Sequence, residues 1–177
     1  MRMRAAVLFS CLIQINISMT THIAWGVKTW KINQTMIRKY EDKDIDAVVS
    51  SWRVASELAH PFLTKAFLDR EADNVRNVYM PFAKTWVSEV NGSVVGFIAL
   101  IEDEIGGLFL DPKYHGQGLG KALVDKAVAE KGSLKVEVFK ENTIGRRFYG
   151  AYGFKGADES FHEASGQVTI LMAYASE

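Results

Sequence analysis

The chain has 177 residues, 48% apolar and 24% charged, which is enough for one domain with a substantial core. Twenty-one basic residues against twenty-one acidic ones give a formal charge of zero, so the broad electrostatic pull of a nucleic-acid binder is missing and no nucleic-acid partner is expected. One cysteine, Cys11, excludes an intrachain disulfide framework and a Cys-rich zinc cluster, and suits a cytoplasmic setting.

The first 35 residues stand apart. Met1 to Arg4 is a short basic run and Ala5 to Ile13 is apolar, like the start of a secretory signal, but no small-residue cleavage site follows. The stretch is too short to cross a bilayer, and no membrane partner is expected. Met36 reads as a fresh start, so residues 1–35 are expected to be a non-catalytic extension and residues 36–177 the working domain.

From Met36 strands and helices alternate. Ile37 to Tyr40 is a strand, and Asp42 is placed to cap a helix whose Ile45, Val48, Val49, Trp52, Ala55 and Ala59 share one face. His60-Pro61 stops that helix. Thr64 to about Tyr79 predicts a second helix with Phe67, Val75 and Val78 inward. Thr85 to Val90, the turn Asn91-Gly92 and Ser93 to Ile101 predict a hairpin, the second strand apolar enough for a sheet interior. After Glu102-Asp103-Glu104 the chain returns as Ile105 to Leu110, where Gly106-Gly107 suggests a bulge. A helix from Leu119 to Lys131, a strand Leu134 to Val138, a helix from Asn142 to Tyr152 and a strand Gln167 to Ala173 complete a mixed α/β sandwich.

Between strand and helix lies Leu110-Asp111-Pro112-Lys113-Tyr114-His115-Gly116-Gln117-Gly118-Leu119-Gly120-Lys121. Alternating glycines at a helix mouth let the main chain approach a phosphate and point N–H groups at it. A Walker loop fails because Ala122 follows Lys121, and the dinucleotide fingerprint fails because its third glycine falls on Lys121 or Leu123.

The stretch resembles the acyl-CoA-binding motif of the GNAT acetyltransferases, roughly V-x-P-x-x-[Q/R]-G-x-G-[I/L]-G-x-x-L, with His115 in place of Gln or Arg. Asn142-Thr143-Ile144-Gly145-Arg146-Arg147-Phe148-Tyr149, ending at Gly153-Phe154, resembles the family's second motif, with Gly145 in place of alanine. The resemblance covers roughly residues 36–174. It implies a central mixed sheet of about six to seven strands, about four flanking helices, and splayed fourth and fifth strands, here Ile105 to Leu110 and Leu134 to Val138.

It further implies acetyl-CoA as co-substrate, held by Leu108, Phe109, Leu110, His115, Gly116, Gln117, Gly118, Leu119, Gly120, Lys121 and Asn142, with no metal. The reaction would be direct transfer to a primary amine within a ternary complex. A backbone N–H near Leu110 would polarise the thioester, and Tyr149 would protonate the leaving thiolate. A lysine-like amine, with a pKa of about 10.4, needs a proton acceptor near neutral pH. His60 ranks first for that role and Glu102 second, ahead of Asp103, Glu104 and Glu89. His22, His115 and His162 show no metal-ligand spacing.

The acceptor is an amine-bearing small molecule or peptide. The alternatives are a non-catalytic acyl-CoA sensor, or a toxin-type acetyltransferase acting on aminoacyl-tRNA, which neutral charge disfavours. Sequence leaves oligomeric state open, a homodimer included.

Overall fold

The computed structural model describes residues 19–24, 27–32 and 34–176, so the signal-like run at 1–18 lies outside the described residues. Two strands, β1 (Met19–Ala24) and β2 (Val27–Ile32), form a small antiparallel sheet of their own. The main sheet has seven strands: β3 (Thr35–Lys39), β4 (Lys84–Val90), β5 (Ser93–Ile101), β6 (Glu104–Leu110), β7 (Leu134–Phe139), β8 (Lys155–His162) and β9 (Gln167–Tyr174). Their spatial order is β3-β4-β5-β6-β7-β9-β8. Two residues before Met36, Gln34 N–H donates to Asn91 Oδ1, and Asn91 N–H donates back to the Gln34 carbonyl.

Four helices flank the sheet: α1 (Ile45–Ala59), α2 (Lys65–Asn74), α3 (Leu119–Lys131) and α4 (Thr143–Tyr152). Strand alternation sorts the core into two layers. Trp86, Ile98 and Leu100 join Leu123, Val124 and Ala127 of α3 and Tyr149 of α4 on one face. Their neighbours Val87, Phe97 and Ala99 face the other way, onto Val48 and Trp52 of α1 and Leu68 of α2. The Asn91-Gly92 turn has positive φ at both positions, 51° and 82°, as a two-residue hairpin of this twist requires.

Three expectations need correction. Asp42 does not cap α1. It opens a 3₁₀ turn, Asp42–Asp44, in which the buried Asp44 accepts the Glu41 N–H at 2.9 Å and pairs with Arg38 at 2.6 and 2.9 Å. The second helix is not regular to Tyr79: it gives way to a π-helical turn, Val75–Tyr79, which buries Val75 and leaves Val78 outside. Strand β8, unread in sequence, carries Asp158, Glu159 and Ser160 and follows no apolar alternation, because it is a sheet edge.

The strand pair that positions the site is β6–β7, the one parallel pair among the described residues. It is joined at Glu104–Lys135 and Ile105–Val136. Opposite that junction the β5–β6 register slips between Ala99 and Leu100, which leaves Gly106 as the extra residue of a bulge. Beyond it β6 and β7 diverge.

Candidate active site

The divergence opens a cavity of about 670 Å³. Leu108, Phe109 and Leu110 of β6 form one wall, and Val138 and Phe139 of β7 with Asn142 and Tyr149 form the other. The glycine loop closes one end. Gly116 and Gly118 hold φ of 75° and 80°, and a Cβ built at either meets nothing within 4 Å. The space beside the main chain is therefore open, and Gly118 caps α3 so that the first N–H groups of that helix face it. This fits the phosphates of a CoA molecule.

His115, Gly116, Gly118, Leu119, Gly120 and Lys121 line the cavity. Gln117 does not: its amide donates to the Lys113 carbonyl at 3.4 Å. His115 Nε2 donates to the Leu110 carbonyl at 3.1 Å, tying the loop to the end of β6. Its side chain thus serves the loop's shape, which explains why a residue other than Gln or Arg suffices. Lys121 Nζ pairs with both oxygens of Asp125, at 2.7 and 2.9 Å.

Tyr149 is 5% exposed, its ring edge-on to Phe148 and Phe154 at 5.3 and 5.2 Å. Burial pushes its phenol well above the ordinary value, so it stays protonated at neutral pH. Asn142 caps α4 by accepting the Gly145 N–H at 2.8 Å. That bond fixes which end of the amide is oxygen, so the nitrogen faces His60 Nε2 at 2.9 Å and donates to it. A Cβ at position 145 would lie 2.8 Å from Asn142 Nδ2, so glycine in place of alanine keeps the Asn142 side chain in this pose.

His60 is buried at the C-terminus of α1, edge-on to Phe62 and Phe139. Burial lowers its pKa from 6.5 to about 4, so the ring is neutral with its Nε2 lone pair engaged. Glu102 sits at the exposed β5–β6 turn with φ of 55° and lines no part of the cavity. Glu104 and Glu137 do line it, and burial followed by the charge of Glu137 raises the Glu104 pKa. Phe139, His162 and Glu137 are cavity residues that sequence reasoning missed; Phe139 extends the alternating strand by one residue, which was the available signal.

A second cavity, of about 310 Å³, lies between α1, α2 and the sheet. The two share His60, Gly106, Gly107, Phe109, Phe139 and His162 as wall. Among the described residues, no helix is long and apolar enough to cross a membrane, and no group of three or more His, Cys, Asp or Glu is placed to hold a metal ion.

Residues 81–156 match the family described as Acetyltransferase (GNAT) domain. The chain is 30% identical to the Escherichia coli peptidyl-lysine N-acetyltransferase YjaB, over 78% of this chain and 95% of that one. It is 28% identical to the E. coli peptidyl-lysine N-acetyltransferase YiaC, over 78% and 96%. The solution structure of apo-form YjaB from E. coli superposes with a TM-score of 0.73 at 27% identity, covering 81% of this chain and 99% of that chain. The splayed parallel pair, the glycine loop at the mouth of α3 and these likenesses together make the chain a member of the GNAT family, an acetyl-CoA-dependent acetyltransferase.

Proposed function

We propose that the protein moves the acetyl group of acetyl-CoA onto a primary amine by direct attack in a ternary complex. The observation that carries this reading is the meeting of two cavities at the β6–β7 opening, with Tyr149 on one side and His60 at the junction. The larger cavity takes the cofactor, its phosphates over residues 115–121 and its arm along Leu108 to Leu110, where a backbone N–H polarises the thioester carbonyl. The amine enters from the smaller cavity and attacks that carbonyl. As the C–S bond breaks, the Tyr149 hydroxyl gives its proton to the leaving sulfur.

His60 acts as a positioning residue. Its lone pair accepts from Asn142, and its lowered pKa makes it a weak proton acceptor. Glu104, facing the cavity with a raised pKa, is the carboxylate that removes the amine proton, through water, in place of Glu102.

The relatives' printed activity on peptidyl lysine supports an amine acceptor. A thiol-release assay with acetyl-CoA across a panel of amines tests the reading. Amine-dependent release of CoA is expected; tight CoA binding with no release for any amine would make the protein an acyl-CoA sensor.

A further inference from the structure

The smaller cavity, like the larger, is walled mainly by apolar surface. At about 310 Å³ it falls at the lower end of small-molecule sites, roughly 300–1,000 Å³. Trp52, Phe67, Leu68, Val75, Met80 and Phe97 are among its lining, contributed by α1, α2, the π-helical turn with the residue after it, and β5. The turn is the device that aims Val75 and Tyr79 at the cavity from adjacent levels, a use of π geometry that recurs at functional sites. One carboxylate, Glu71, reaches the wall. Its oxygens already accept from the Tyr79 hydroxyl and the Asn74 amide, each at 2.9 Å, and Arg70 lies 3.7 Å away. Among the described residues Glu71 is thus the one acid on this wall, and it is held by Tyr79 and Asn74 at the wall's edge. The Ser56 hydroxyl, fully buried on the same wall, has no hydrogen-bond partner and adds no charge.

We infer that the acceptor carries its amine on an uncharged aryl or branched-alkyl body, which fills this cavity and leaves the amine at the β6–β7 opening. The inference rests on the N-acetyltransferase reading and names its substrate class. A polycation would lose its hydration here for a single carboxylate, Glu71, whereas an apolar body is drawn in by burial. The shared wall at Gly107, Phe109 and Phe139 sets the order: apolar body between the helices, amine at the thioester. Two sources carry this chemistry, a free arylalkylamine and a peptide whose N-terminal residue is phenylalanine or leucine.

The full chain is assayed with phenethylamine, a peptide with N-terminal phenylalanine, spermidine, and an N-terminally blocked peptide with an internal lysine. One of the first two is expected to exceed both others in kcat/KM by about tenfold or more. Spermidine or the lysine peptide as the fastest acceptor overturns the inference and leaves the transferase reading intact. Ala83→Phe projects an aryl group into the same space from a half-buried position. It is expected to raise KM for the favoured amine about tenfold with acetyl-CoA affinity unchanged. Leu63→Trp, also on that wall, repeats the test should Ala83→Phe fail to fold. If no amine is turned over, calorimetry of phenethylamine and the phenylalanine peptide against the CoA-saturated chain still decides. Binding that Ala83→Phe or Leu63→Trp abolishes upholds the cavity assignment, and absence of binding overturns it.

Discussion

The two cavities that meet at His60 are built from different materials. The end of the larger cavity that we assign to the cofactor phosphates is main chain: a left-handed loop and a helix start, beside an open strand edge. The smaller cavity, which we assign to the acceptor, is mostly side chain, drawn from α1, α2, the π-helical turn and β5. N–H groups are common to every residue but proline, so the first surface depends on backbone shape and tolerates a change such as His115. The second has whatever chemistry its side chains supply, and each is a separate choice.

That contrast can be broken in order of effect. Tyr149 lines the larger cavity, and Tyr149→Phe should lower kcat by roughly 10²–10⁴-fold, the usual worth of a general acid, with a much smaller change in acetyl-CoA affinity. Wild-type kcat across pH, with chemistry rate-limiting, would reduce it to a packing residue. His60 should show in stability. Its folded pKa of about 4 lies below the ordinary 6.5, so the unfolded chain takes up the proton first. Its contribution is therefore complete above about pH 6.5 and is lost as pH falls toward 4, amounting to about 3 kcal/mol. Urea midpoints at several pH values should show that slope in the wild type and a shallower one in His60→Phe; identical slopes would mean the ring is not buried neutral.

Gly118→Glu tests the backbone-built side. It forces a side chain onto a φ of 80° and sets a negative charge at the start of α3. CoA affinity should fall about tenfold or more in the folded variant, and unchanged calorimetry would move the phosphates elsewhere. The smallest effect belongs to the side-chain-built wall. Ser56→Ala removes a buried hydroxyl that has no partner and improves helix propensity, so stability should shift by no more than about 0.5 kcal/mol, or rise. A loss several times larger would show that the hydroxyl is bonded in solution.

Legibility in sequence follows the same division. The loop could be read because its geometry restricts residue type: Gly116 and Gly118 need positive φ, and Gly120, where a Cβ would approach Phe148 to 3.1 Å, needs no side chain. The alternating strands and the Asn91-Gly92 turn were equally plain. The acceptor wall was not, because Trp52, Phe67, Val75 and Phe97 look like ordinary core residues until the fold leaves a gap between them. Val78 illustrates the limit. Helical spacing puts it inward, but one extra residue per turn between Val75 and Tyr79 rotates it to the surface. Glu102 and Glu104, two positions apart, could not be separated from sequence, since a left-handed turn and a bulge decide which one faces the cavity.

A parallel pair joined at only Glu104–Lys135 and Ile105–Val136 places a raw strand edge in the middle of a sheet rather than at its margin. Edges at the margin invite other chains to add to them. This one is recessed between the end of α1 and the start of α4, which the His60–Asn142 bond holds together across 82 residues of sequence. Amide deuterium exchange should therefore be fast in the free protein and slow when CoA binds at those amides of 107–110 and 137–139 that point into the opening, while their neighbours bonded to β5 or β9, and the interior of β5, exchange slowly throughout.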